Sequence, residues 1–302
     1  MRRVLTALLC LILCAALPAG AADTPPEQLL AGSHFQTGKV TLPGGIASLD
    51  LPPHFRYLNP QDSHKLLVDG WGNPPGAPSL GMILPANVAP LGAAGWGVIV
   101  SYEPGGHVRD DDAGGIDYAG LLAQLKDAVA DNNTARREQG YAAMTLIGWA
   151  EQPRYDAARH TLLWAKELHT EGSNENGLNY HIRVLGREGV LVLNAVAGMD
   201  QIAQVRSEMQ NVTAFTDFTP GNRYADFDGK TDTLADYGLA ALVAGGGAAK
   251  PGLFGKLVAL MLAFKNVILV ALAAGGAWLY YLLGRRAGSP AVTPVRSGST
   301  PR

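Results

Sequence analysis

Apolar and polar positions along the chain change period several times, and each change marks an element. Between residues 141 and 198 four runs, MTLIGWA, HTLLWAKEL, LNYHIRVLGR and GVLVLNAVAG, are separated by PRYDAAR, TEGSNENG and EG. Runs of this length with turn residues between them predict an antiparallel meander joined by hairpins. Upstream, WGVIVSYE puts Trp96, Val98, Val100 and Tyr102 at alternate positions, which predicts a strand with those four on one face. Shorter strands are predicted at Ala47–Leu51 and around Gly81–Leu84, with breaks at Pro43-Gly44-Gly45, at Pro52-Pro53 and in the loop WGNPPGAPS. Leu121, Leu122, Leu125 and Val129 recur at helical spacing and predict an amphipathic helix within Ile116–Gly140. Two more helices are predicted, over Asp200–Asn211 and over Thr233–Val243, the second with Asp232 or Thr233 as its N-cap. The pattern is that of an α+β fold, antiparallel meander sheets packed with helices. Trp149 and Trp164, on neighbouring strands, are expected to be buried against the Asp200 helix.

Two longer apolar runs do not fit a globular domain. Arg2 and Arg3 precede an apolar run that ends near Leu17, followed by Ala19, Ala21 and Ala22. That layout predicts a secretory signal peptide over residues 1–22. The second run, Val267–Leu283, spans roughly 26 Å as a helix at about 1.5 Å per residue, with Trp278, Tyr280 and Tyr281 toward one end. It predicts a transmembrane helix over 266–284. Arg285, Arg286, Arg296 and Arg302 follow it, so the basic tail 285–302 is expected in the cytoplasm. The exported domain then covers 23–244, with strand-helix halves 34–140 and 141–228, and residues 245–265 form a glycine-rich connector and an apolar segment. Within it, Pro251–Phe264 reads equally as an interfacial helix, a re-entrant one, or an extension of the membrane helix. The expected location is the bacterial inner membrane, single-pass, with the large domain in the periplasm and the lipid bilayer contacted through Val267–Leu283.

Charge and cysteine usage narrow the chemistry. Both cysteines, Cys10 and Cys14, lie inside the leader, which leaves the exported part without disulfides, thiolate metal sites or a cysteine nucleophile. From Asp23 to Lys250 there are 16 Lys and Arg against 26 Asp and Glu, a balance of −10, and that balance argues against a nucleic-acid partner. No GxSxG, SxxK, Walker or dinucleotide fingerprint occurs, and no cofactor is implied.

The densest chemistry is in YEPGGHVRDDDAGGID, where His107, Asp110, Asp111, Asp112 and Asp117 gather among glycines. Counted as a calcium loop from Asp110, the twelfth position is Leu121, where a bidentate glutamate is needed. Two readings remain. The carboxylates serve the unpaired N–H groups at the start of the Ile116 helix, or they form a divalent-cation or polar-ligand site. A secondary candidate, Asp226, Asp228 and Asp232 in RYADFDGKTD, also lacks the terminal glutamate. His107, His160, His169 and His181 fall in separate strands or turns without paired spacing.

The segments LPPHFRYL, WGNPP, WGVIVSYEPGGHVRDDDAGGIDYAGLL, GYAAMTLIGWAEQPRYDAARHTLLWAKEL, LNYHIRVLGREGVLVLNAVAGMDQI and GNRYADFDGKTDTLADYGLAALVAGGGAAKPGLFGKLVALMLAFK together closely resemble the DUF2167 family of uncharacterised, membrane-anchored bacterial proteins. The resemblance covers nearly the whole mature chain and implies a bacterial envelope protein. It brings no activity and no catalytic residues. More loosely, the meander and helix from Met144 to Asn211 are similar in pattern to the PsbP/Mog1-like α+β sandwich, a scaffold better known for binding than for catalysis. The function expected on these grounds is a non-catalytic interaction or envelope-maintenance module with an envelope protein as partner. The alternative is a metal-dependent enzyme or small-ligand binder using the Asp110–Asp117 cluster.

Overall fold

The computed structural model describes residues 29–245. The expected leader 1–22, the connector 245–265 apart from Gly245, the membrane helix 266–284 and the tail 285–302 lie outside the described residues. Among those described, no helix is long and apolar enough to cross a membrane.

Among the described residues eleven strands form two antiparallel sheets. The predicted meander is present as β7 (Met144–Asp156), β8 (Thr161–Thr170), β9 (Gly177–Leu185) and β10 (Gly189–Gly198), each paired with the next. β6 (Gly97–Pro104) pairs with the free side of β10, and β5 (Gly81–Pro85), β4 (Phe55–Leu58) and β1 (Phe35–Gln36) continue outward. The resulting eight-stranded sheet, in the order β1-β4-β5-β6-β10-β9-β8-β7, runs through both halves of the domain. A small second sheet is built from β2 (Gly38–Thr41), β3 (Ala47–Leu51) and β11 (Thr216–Phe218).

The alternation along β6 and β8–β10 sorts side chains onto two differently covered faces. Val98, Val100, Ala165, Tyr180, Ile182, Leu191, Leu193 and Ala195 point one way. There they pack with Val205, Met209 and Val212 of α3 (Ile202–Ala214) and with Val40, Leu49 and Phe218 of the small sheet. Trp96 joins this core as its alternation with Val98 and Val100 predicts. Leu162, Trp164, Leu185 and Val190 point the other way. They meet Leu121 of α2 (Tyr118–Glu138) and Leu239, Leu242 and Val243 of α4 (Leu239–Ala244).

This assignment corrects the expectation for the tryptophans. Trp164 is buried, at 1% exposure, but on the α2/α4 side, because Ala165 and Tyr180 occupy the face toward α3. Trp149 is only half-buried, and its Nε1 donates to the Tyr118 carbonyl at 3.3 Å. The helix expected over Thr233–Val243 is also shorter, starting at Leu239. Residues 233–235 instead run beside His107, exchanging the bonds His107 N–H to Thr233 O (2.8 Å) and Ala235 N–H to His107 O (2.9 Å). A short helix that the apolar pattern does not announce, α1 (Pro60–Lys65), is capped by Asn59, whose Oδ1 accepts from Asp62 N–H at 2.9 Å.

Candidate functional site

The Asp110–Asp117 loop joins β6 to α2, and its carboxylates go to different places. Asp117 is the N-cap of α2, with Oδ1 accepting from Ala119 N–H (3.1 Å) and Gly120 N–H (3.0 Å). A Cβ on Gly120 would collide with that carboxylate, which accounts for a glycine in the first turn. Asp112 reaches across to a different helix, where its Oδ1 accepts from Leu239 N–H at the start of α4 at 3.4 Å, beside the bare backbone of Gly238. Asp111 is exposed and lies 3.9 Å from the Arg109 Nε. Replacing Asp117 by alanine is expected to cost about 0.5–2 kcal/mol in urea unfolding, with Asp117→Asn retaining most of the stability because an amide oxygen caps equally well.

Asp110 alone is drawn into a cluster. Its carboxylate accepts from the Tyr155 hydroxyl at 2.6 Å and the Tyr224 hydroxyl at 3.2 Å, and the His160 Nδ1 lies 3.4 Å away. Ring contacts run from Phe227 to His107 (4.0 Å between centroids), from His107 to Tyr224 (4.2 Å) and from Tyr224 to His160 (3.9 Å). His160 holds the backbone at φ 48°, a turn conformation that few side chains tolerate. The cluster therefore fastens the loop after β6 to the end of β7, the β7–β8 turn and the 224–227 turn.

Its electrostatics are those of a fastening. Partial burial works against the Asp110 charge, but the Tyr155, Tyr224 and His160 hydrogen bonds outweigh it and hold the carboxyl below the usual range. Burial, followed by the bond to Asp110, pushes the Tyr155 hydroxyl up, and burial with the Asp110 charge pushes Tyr224 to about 12. Burial pushes His107 down. A carboxylate stabilised in its ionised form is a weak base, and hydroxyls held protonated are weak nucleophiles.

The secondary candidate is likewise occupied by backbone. Asp226 accepts from Gly221 N–H and Arg223 N–H, both at 2.9 Å, and Asp228 from Lys230 N–H at 2.9 Å. Asp232 is bridged by Arg187 through two bonds of 2.7 and 2.8 Å and accepts from Asp228 N–H at 2.8 Å, which is why it does not cap a helix at residue 233. Arg187 and these N–H groups hold its carboxyl far below the usual range. Among the described residues no three His, Cys, Asp or Glu side chains are grouped so as to hold a metal ion. An open hollow of about 570 Å³ is lined by Asp111, Asp112 and Asp117, two of which already accept from backbone N–H groups.

Sequence reasoning missed two groupings. Tyr224 brings His107 and His160 together although they are far apart in the chain. On the α2/α4 face of the sheet, the register places Lys166, His181, Arg183 and Asn194 near one another. The only local signal of the second grouping is polar residues recurring at alternate positions of strands whose other positions are apolar.

The family model for a protein of unknown function, DUF2167, matches residues 34–275. The chain belongs to this family. The match extends from just before β1 past the last described residue, so the domain and the segment after it are parts of one family unit. No curated protein matches this DUF2167 chain at a significant level. Among solved structures it is similar to the solution structure of cyanobacterial PsbP (CyanoP) from Synechocystis sp. PCC 6803, at 11% identity and a TM-score of 0.35. That similarity covers 61% of this chain and 92% of the other.

Proposed function

We propose that this DUF2167 protein is a non-catalytic interaction module of the bacterial envelope. In this reading the leader 1–22 exports the domain, the helix 266–284 holds it at the inner membrane, and the tail 285–302 stays in the cytoplasm. The observation that carries the non-catalytic reading is the fate of the acidic loop. Asp110 and Asp112 are committed to hydroxyl or backbone donors on other elements and Asp117 to the first turn of its own helix, leaving no poised base, acid or nucleophile there. The −10 balance of residues 23–250 and the basic tail support the topology and a protein rather than nucleic-acid partner.

Three experiments test the proposal together. A reporter that is active only outside the cytoplasm is expected to work when fused at Gly246 and to fail after Arg302; the reverse pattern contradicts the topology. Mild crosslinking in membranes, followed by purification of the full chain, is expected to recover one consistent envelope protein. Turnover of a small molecule by the purified chain, lost on Asp110→Asn, would overturn the non-catalytic reading.

A further inference from the structure

The α2/α4 face of the large sheet is polar at its centre, where a covered sheet face is ordinarily apolar. Register sets Trp164, His181, Asn194 and Ile99 abreast across β8, β9, β10 and β6. One step to one side Lys166, Asn179 and Val196 lie abreast, and one step to the other Leu162, Arg183, Val192 and Ser101. His181 is 8% exposed and Arg183 6%. The His181 ring stacks on Trp164 with centroids 4.9 Å apart, and the Arg183 guanidinium lies 5.2 Å from the Trp164 ring.

These side chains are buried with their hydrogen-bonding groups unspent. Among the described residues neither ring nitrogen of His181 has a partner, nor do Nε and Nη1 of Arg183, Nε1 of Trp164 or Oδ1 of Asn194. Buried donors in a folded protein are ordinarily satisfied, and buried charges ordinarily paired. Among the described residues the ion-pair partner of Arg183 is Glu103, loosely placed at 3.8 Å from Nη2. The two cations also feel each other: burial and the Arg183 charge push Lys166 down to about 8, and burial, then Lys166 and Arg183, push His181 well down. Among the described residues the balance on this face is two cations against one loosely placed carboxylate, with donors in excess.

Toward β6 the same face turns apolar. Ile99 and Val196 line a hollow of about 590 Å³, together with Leu67, Val68, Pro74 and Pro78. β6 lies two strand spacings from β9, so this floor is about 10 Å from His181, with Asn194 between. We propose that the face binds a small amphiphilic oxyanion, a carboxylate or phosphate monoester whose charged end sits among Lys166, His181 and Arg183 and whose apolar end fills the hollow over Ile99 and Val196. Arg183 and Lys166 supply charge-assisted donors to the oxyanion.

Isothermal titration of the full chain in a neutral detergent tests this with four probes: hexyl phosphate, hexanoate, inorganic phosphate and 1-hexanol. Hexyl phosphate or hexanoate is expected to saturate at one site, whichever binds more tightly identifying the charged end, while 1-hexanol gives no saturable heat. Inorganic phosphate is expected to bind at least about tenfold more weakly than hexyl phosphate, because it leaves the hollow unfilled. Arg183→Met and Lys166→Met are each expected to weaken binding by about tenfold or more. Lys166→Met removes an unbalanced, partly buried cation and is expected to melt no lower than the parent, so its loss of binding cannot be ascribed to unfolding. Val196→Trp, which fills the hollow, is expected to bring hexyl phosphate down to the affinity of inorganic phosphate. Absence of saturable binding with both amphiphilic anions, or undiminished binding by Lys166→Met, would overturn the proposal. Equal affinity for hexyl and inorganic phosphate would overturn its apolar half.

Discussion

Replacing Trp164 by alanine is expected to cost about 3–5 kcal/mol in equilibrium urea unfolding of the full chain, among the largest effects open to a single substitution. The side chain is 1% exposed and lies among Leu162, Leu185, Val190, Leu239 and Leu242, so its removal opens a cavity between the sheet and the helices covering it. It is also the surface on which His181 and Arg183 rest, and among the described residues the unspent nitrogens of neither find a hydrogen-bond partner. The location of the damage is distinctive. Because Trp164 belongs to the α2/α4 side, amide exchange should quicken in α4 and the first turn of α2 before it does in α3. A loss well under 1 kcal/mol, or an effect centred on α3, would mean that the two faces have been assigned the wrong way round.

Lys166→Met is expected to act in the opposite direction and to stabilise the fold at neutral pH by about 2–3 kcal/mol. Burial and Arg183 lower the Lys166 pKa from 10.5 to about 8, and each pH unit of that separation corresponds to about 1.36 kcal/mol, part of it relieved by the solvent that still reaches the side chain. The sign follows from proton counting. Between pH 8 and 10.5 the unfolded chain holds a proton at this lysine that the folded chain has released, so stability rises with pH through that window. Below pH 8 both states are protonated and the whole penalty is present. Above pH 10 an opposing effect begins, because burial pushes Tyr57, Tyr102 and Tyr180 to about 12 and the unfolded chain ionises first. The clean comparison is therefore the parent minus Lys166→Met between pH 7 and pH 10. That difference should shrink as pH rises, and a variant less stable than the parent at pH 7 would show that Lys166 has a partner that stabilises its charge.

The strands were legible because their alternation coincides with real burial: Trp96, Val98 and Val100 face one core as their spacing predicts, and the meander runs from β7 to β10 in chain order. The acidic loop was half legible. Carboxylates ahead of an apolar helical pattern point to a cap, and Asp117 is one, but nothing local tells that Asp112 serves α4, some 127 residues away, or that Asp110 meets Tyr155 and Tyr224. The same limit explains the missed start of α4. Asp232 beside Thr233 reads as a cap until Arg187 takes the carboxylate with two bonds, and that arginine sits in a distant hairpin. Lys166, His181, Arg183 and Asn194 escaped for a different reason. Each alternates with an apolar neighbour, the pattern of a solvent-facing position, and only the pairing of β8, β9 and β10 with α4 over them turns that outer face into a second interior. The short α1 carries a readable signal, Asn59 followed by Pro60, but six residues are too few for an apolar period to show.

The claim that the carboxylates of residues 110–117 serve the fold rather than a ligand is tested most directly by a thermal titration of the full chain with calcium, magnesium, manganese and zinc. Monovalent salt at matched ionic strength is the control, since residues 23–250, at a balance of −10, gain slightly from any added salt. Each divalent ion is expected to reproduce the control, with no saturable rise in melting temperature. A cation site would instead raise stability as RT ln(1 + [L]/Kd). A saturable shift with one ion, abolished by Asp110→Ala together with Asp112→Ala, would contradict the structural reading and bring the metal-dependent alternative forward.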